Sequence, residues 1–495
     1  MAATHEGLTS AQLHARLKHP VIDSDGHMLE VTPVLLDYIR QLGGPQMAER
    51  FIRDGESGRP WAGWKTMSHA DRRSSRTPAS AWWGLAPNTL DRATASLARL
   101  QHERMDDLGL DFAVLYPTDG LSVLLIPDDE LRQLACRAMN TYYADQYRPY
   151  ADRLTPTAII PINTPQEAVN ELEYAVNTLG LKAIAIMGQI HRPIPLVQST
   201  NPQLARHASY LDFLGVDSDH DYDPFWSKCV ELKVAVGAHG SGQGWGARRS
   251  ISRYVYNHIG SFAAASEAFC KALVMGGVPR RYPNLQFAFL EGGVAWACEL
   301  YAGLIGHWKK RNARQIRNLD PANWDQEELL QLFSKYGDAR ITARLADIRE
   351  QLNRPHYQPA ELDDFADAAI ENARDFRDIF QRQFYFGCEA DDPLNAWAYN
   401  TRVNPYGARL RPILGSDIGH WDVSDMTEVL TEAYELVEHE LITESEFRDF
   451  TFANPVNLYS RGNPDFFKGT RVESQAQAQM VQDGAQMAQA ASPAP

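Results

Sequence analysis

The sequence predicts an α/β protein built as a (β/α)₈ TIM barrel with long helical and loop insertions. Three observations lead there. Short runs rich in Val, Ile, Leu and Phe recur eight times along the 495 residues, helical patterns lie between most of them, and acidic or imidazole side chains stand at the ends of several. Short continuous apolar runs are what strands buried on both faces look like. Strand–helix alternation repeated eight times is the sequence form of a barrel. The competing doubly wound sheet usually carries a glycine-rich phosphate turn after its first strand, and this chain has none there.

In chain order the expected strands are PVIDSD (20–25), DFAVLYP (111–117), LTPTAIIP (154–161), LKAIAIMG (181–188), KVAVGAH (233–239), LQFAFLE (285–291), QFYFGC (383–388) and RPILGS (411–416). Helical patterns follow in 129–147, 165–180, 261–277 and 426–442. Three gaps, about 28–95, 189–225 and 305–380, are too long for simple connections. They read as insertions that form lids or carry structure of their own. The first holds Trp61, Trp64, Trp82 and Trp83; the third is charged and helix-like. Residues 1–19 are expected to form an N-terminal extension and 20–465 the barrel. The Ala/Gln-rich segment 466–495 is expected to be a low-complexity tail, a frayed helix or disordered.

A formal net charge of −15 argues against a nucleic-acid partner, because phosphate binding wants a basic face. No stretch approaches the ~20 apolar residues of a membrane span, and the first residues lack the apolar core of a secretory signal. The cysteines (Cys136, Cys229, Cys270, Cys298 and Cys388) form no CxxC pair and read as buried free thiols in a reducing compartment. The expectation is a cytoplasmic protein acting on a small molecule, with no membrane or nucleic-acid partner.

The first strand carries the densest chemistry. VIDSDGH sets Asp23, Asp25 and His27 at alternate positions, which a strand sends to one face. Two carboxylates and an imidazole are costly in an apolar helix interface, so a polar interior holding a divalent cation is the natural reading. A D-x-D-G capping turn is the alternative. Other strand ends support the cation. His239 ends the fifth strand before a glycine-rich loop, Glu291 ends the sixth, and Asp417 ends the eighth, with His420 three residues on. Barrel active sites form at that face, and imidazole with carboxylate suits zinc, manganese or iron. Asp23, one layer deeper, reads as hydrogen-bonding support. Glu389 ends the seventh strand without a motif around it. His191, His207 and His220 lie in the second insertion and read as solvent-exposed.

The segments IDSDGH, AHGSG, GGVPRRYPNLQFAFLEGGVAW and LGSDIGHWD resemble the amidohydrolase superfamily. They are most similar to its amidohydrolase-related subgroup, which includes aminocarboxymuconate-semialdehyde decarboxylase-like and resorcylate decarboxylase-like enzymes. The resemblance runs from about 20 to 460. It implies metal ligands at Asp25, His27, His239 and Asp417, and a homo-oligomer, dimer or larger. Many members carry histidine where this chain has Glu291, which leaves Glu291 open as a ligand, a bridge to a second ion or a proton-transfer group. Zinc is the ion the resemblance implies; the acid-rich set keeps manganese, iron or a two-metal site open.

The chemistry expected is hydrolysis of an amide, ester or lactone bond of an apolar or aromatic molecule by metal-activated water, with Asp417 moving the proton. Glu291 and His258 are further catalytic candidates. Trp245, Arg248, His420 and Trp421 are the expected substrate contacts. The second reading is a non-oxidative decarboxylase, which a carboxylate-clamping arginine (Arg92, Arg248, Arg249 or Arg253) would favour. The third is an inactive barrel acting as a scaffold, which should hold no stoichiometric metal.

Overall fold

The computed structural model describes residues 7–80, 88–320, 323–353 and 363–491; Trp82 and Trp83 lie outside them. Its main sheet has eight strands: β1 (Ile22–Met28), β2 (Phe112–Pro117), β3 (Leu154–Ile159), β4 (Ala183–Ile186), β7 (Val236–Ala238), β8 (Phe287–Phe289), β9 (Phe384–Glu389) and β10 (Pro412–Gly415). They pair in parallel in that order. Each expected apolar run overlaps one of these strands, with β1 and β9 running past the expected ends at 25 and 388. The ring closes where the Asp417 amide donates to the Asp25 carbonyl (3.1 Å) and the His27 amide to the Ile418 carbonyl (3.0 Å).

The strands are buried on both faces because helices wrap them. Asp129–Tyr147 crosses from β2 to β3 and Pro165–Glu173 from β3 towards β4. Both start at a side-chain cap: Asp128 accepts from the Leu131 amide, and Thr164 from the Glu167 amide. Such caps satisfy amides that the first turn leaves unpaired. Phe287 and Phe289 of β8 turn outward onto Trp226 and Trp296 of flanking helices. Inside the ring, Gly237 of β7 leaves room for Tyr116: a Cβ there would meet the Tyr116 hydroxyl at 2.5 Å and the Ile184 carbonyl at 2.8 Å.

The long gaps carry structure. Between β1 and β2 lie Thr32–Asp54 and three shorter helices, His69–Ser75, Thr89–Ser96 and Ala98–Arg104. Between β4 and β7 stands an antiparallel hairpin of β5 (Ile190–Pro193) and β6 (Ser209–Asp212). After β8 come Gln326–Tyr336 and Leu345–Leu352, tied by the Arg349–Glu327 ion pair. The Ala/Gln-rich C-terminal segment forms the helix Glu473–Ala491. Val472 and Ala476, one turn apart, are buried, with Met480 packed beside them, so an apolar stripe docks a segment whose composition alone suggests disorder. Among the described residues no helix is long and apolar enough to cross a membrane.

Candidate metal centre

The first strand does not alternate strictly. Its pairing with β2 steps from Asp23 opposite Ala113 to Gly26 opposite Leu115, so one extra residue bulges out. A bulge re-aims the side chains that follow it. Asp23 turns to the last strand, where its carboxylate accepts from the Ser416 hydroxyl (2.5 Å), the Ser416 amide (3.0 Å) and the Asp25 amide (3.1 Å). A Cβ on Gly26 would sit 2.4 Å from that carboxylate, which is why a glycine follows Asp25. Asp25 and His27 are thereby released into the barrel mouth.

Three more strand ends converge on them. His239 follows β7, Glu291 lies two residues beyond β8, and Asp417 lies two beyond β10. Glu291 and Asp417 both take left-handed backbone angles (φ 58° and 49°), a strained choice for non-glycine residues that clusters at functional sites. His27 Nε2 is 3.4 Å from His239 Nε2, 3.3 Å from Asp417 Oδ1 and 3.7 Å from Asp25 Oδ1. His239 Nε2 is 3.6 Å from Asp25 Oδ1 and 3.2 Å from Glu291 Oε2.

These spacings fit a cation. Donors bound tetrahedrally at about 2.0–2.2 Å stand about 3.3–3.6 Å from one another. Asp25, His27 and His239 form one group able to hold an ion, and His27, Asp417 and His420 a second that shares His27. Asp25 Oδ1 and both oxygens of Glu291 are buried and accept no hydrogen bond from the described residues. Buried carboxylates without donors are costly, and a cation among them removes the cost.

Burial pushes the carboxyls of Asp25, Glu291 and Asp417 well above the usual range, and neighbouring acids, among them Asp422 and Glu389, add to it. Glu389 is raised to about 7 and Asp23 to about 6, again chiefly by burial. Burial lowers His239 to about 3 and takes His27 and His420 well below their ordinary value. The imidazoles are therefore neutral, the form that ligates metal.

Above the centre opens a cavity of about 110 Å³. Trp61, Leu121, Leu125, Met187 and Phe262 supply its apolar wall, and His239, Glu291 and His420 line the same space. Trp61, Thr118 and Ser122 also line an outer vestibule of about 830 Å³. The first insertion is held over this mouth by Trp64, whose indole donates to the Ile251 carbonyl (3.0 Å), and by Ala79, whose carbonyl accepts from Gln243 and Asn257.

The amidohydrolase family model matches residues 58–342, more than half of the chain. The chain belongs to the amidohydrolase family. The matched span takes in His239 and Glu291, and barrel closure brings Asp25, His27 and Asp417 to them from either side. In fold, this amidohydrolase is similar to one from Mycobacterium avium subsp. paratuberculosis K-10, with a TM-score of 0.52 and 17% identity over 90% of this chain and 100% of that one. Solved structures of a dihydroxybenzoic acid decarboxylase from Polaromonas sp. JS666, with bound manganese, and of a 5-carboxyvanillate decarboxylase from Novosphingobium aromaticivorans DSM 12444, also with manganese, match with TM-scores of 0.46. Their identities are 14% and 13%, over 91% and 90% of this chain and 99% and 97% of theirs.

The expected substrate contacts of the amidohydrolase divide. His420 lines the cavity, its Nδ1 2.5 Å from Asp417 Oδ1 and its ring 3.8 Å from that of His27. Trp245, Arg248 and Trp421 are not among the residues that line it. Trp245 packs edge-on against Phe213, Arg248 donates to the Gly260 carbonyl (2.8 Å), and Trp421 packs on Tyr254 and His258. His258 stands outside both ligand groups, its ring against Tyr254, Phe262 and Trp421. His191 is exposed, as expected, and also reaches the cavity from the hairpin; His220, expected to be exposed, is half-buried. Sequence reasoning passed over Asp422, whose charge bears on Asp417 and Glu291. The available signal was its place in GSDIGHWD, five residues beyond Asp417.

Proposed function

We propose that this amidohydrolase is a metal-dependent hydrolase that opens an uncharged amide, ester or lactone bond of an apolar or aromatic small molecule. One observation carries the reading: an acid-rich ligand cluster faces a largely apolar cavity whose described lining contains no arginine or lysine. Arg92 and Arg249 are exposed, Arg248 is turned to the Gly260 carbonyl, and Arg253 stands with Arg59 and Lys65 on the outer vestibule. A carboxylate seated in the inner cavity would meet Glu291 and the acids of the ligand cluster and no side-chain cation, so the electrostatics there favour a neutral acyl compound over the anion a decarboxylase binds.

Asp25, His27, His239 and Asp417 would hold a divalent ion; zinc fits this donor set, with manganese or iron as alternatives. Such an ion would polarise the acyl carbonyl and bring the pKa of water from about 15.7 toward ~7. Asp417 takes the proton of the attacking water on its carboxylate. Glu291, whose Oε2 stands 3.2 Å from His239 Nε2 at the cavity wall, returns a proton to the leaving group. The apolar wall around Trp61 and Phe262 excludes bulk water from the reacting bond, and the vestibule admits the rest of the molecule.

The test is chelator-stripped protein reloaded with zinc, manganese or iron and assayed on neutral aryl esters, lactones and anilides. Metal-restored hydrolysis that Asp417→Asn lowers by roughly 10²–10⁴-fold is the expected result. Carbon dioxide release from carboxylated aromatics with no bond hydrolysed overturns the reading in favour of a decarboxylase. Absence of stoichiometric metal overturns it in favour of a scaffold.

A further inference from the structure

We infer that Thr118 is a positioning residue for the metal centre: through His420, its hydroxyl sets the orientation of Asp417. The inference rests on the metal centre of the proposed hydrolase and extends it to Thr118, which belongs to neither ligand group.

His420 lies between two partners. Its Nε2 is 3.1 Å from Thr118 Oγ1, across 302 positions of sequence, and its Nδ1 is 2.5 Å from Asp417 Oδ1. In the tautomer with its hydrogen on Nδ1, the nitrogen beside the carboxylate, Nε2 is an acceptor and the Thr118 hydroxyl its donor. The His420 ring also lies against His27, 3.8 Å between centroids, so its orientation bears on two candidate ligands at once.

The local structure frees Thr118 for this task. Thr118 stands at the N-cap of the short helix Asp119–Val123, where a threonine hydroxyl ordinarily caps the first turn. Here its side chain makes no capping bond. Glu30 does that work instead, its carboxylate accepting from the Asp119 amide (2.9 Å) and the Gly120 amide (2.8 Å). The Thr118 amide donates to the Met28 carbonyl (3.1 Å), which fixes the hydroxyl relative to the strand bearing Asp25 and His27. The side chain is thus anchored at its backbone, relieved of capping and aimed at His420.

The experiment is a Co²⁺ titration of the chelator-stripped full chain in competition with a chromophoric chelator. It compares wild type, Thr118→Val, Thr118→Ser, His420→Asn and the Thr118→Val/His420→Asn double variant, with thermal unfolding as the check on folding. Thr118→Val should weaken Co²⁺ binding by about 10–100-fold, the usual loss when a partner of a ligand is removed, and Thr118→Ser should restore it. In the His420→Asn background, Thr118→Val should cost nothing more, because the link it breaks is already gone. Thr118→Ala makes the same comparison if valine disturbs packing. Wild-type affinity in Thr118→Val and Thr118→Ala, or an equal loss with and without His420, overturns the inference alone. A wild-type chain that takes up no stoichiometric Co²⁺ instead overturns the metal centre itself.

Discussion

Asp25, Glu291 and Asp417 share a few ångströms of buried space with His27 and His239, and their protonation decides what they can bind. The imidazoles are neutral because burial lowers them; the carboxyls hold protons because burial raises them. A cation must displace those protons, and each is lost more easily as the pH rises. Metal affinity should therefore increase from acid through neutral pH, with proton release on binding. Calorimetry in buffers of different ionisation enthalpy measures that release. A pH-independent affinity without proton release would contradict the assignment of Asp25 and Asp417 as ligands. The left-handed backbone at Glu291 and Asp417 belongs to the same scale: two acids are held in strained conformations where their oxygens meet the imidazoles.

Among the elements, the helix Pro165–Glu173 shows how the barrel's outer layer is fastened. Glu171 is buried beneath it and accepts from Asn140 (2.8 Å) and Arg137 (3.0 Å) of the neighbouring helix. Desolvation nonetheless raises its carboxyl from the ordinary 4.5 to about 7. Between those values the folded chain keeps a proton that the unfolded chain has lost, so this contribution is fully present below pH 4.5 and is lost as pH rises to about 7. Glu171→Gln, which cannot ionise, should remove it. The Tm of the wild type relative to Glu171→Gln is expected to fall between pH 4.5 and 7 and to level off above; a difference that stays constant or rises would refute the sign. The strands themselves were legible in sequence, since each apolar run depends only on its own residues being buried on both faces. The bulge in β1 was not: Asp23, Asp25 and His27 alternate in the sequence, and only pairing with β2 shows that the alternation breaks.

For the whole molecule, the proposed ligands come from β1 and from the ends of β7 and β10, so an ion bound among them would tie together strands that meet only when the barrel closes. Binding to the native state alone adds RT ln(1 + [L]/Kd), about 2.7 kcal/mol at a hundredfold excess over Kd. The reloaded protein should unfold at a higher temperature than the stripped one, with a midpoint that climbs as free metal increases. Equal midpoints with and without metal would mean that the strand ends do not share an ion. The insertions act at this scale too. Trp61 and His191 arrive from segments between β1 and β2 and between β4 and β7 to complete the cavity, and Trp64 holds the first of them to the loop after β7.

From its sequence alone the chain determined its eight strands, its barrel class and the acids and imidazoles at the strand ends, because burial periodicity and strand-end position are written in consecutive residues. Tertiary structure decided which of those side chains meet, that Trp245 and Arg248 stay out of the cavity while Trp61 and His191 enter it, and that Thr118 reaches His420 across 302 positions. Those outcomes depend on where the closing ring and the packed insertions bring distant segments, which no local pattern encodes.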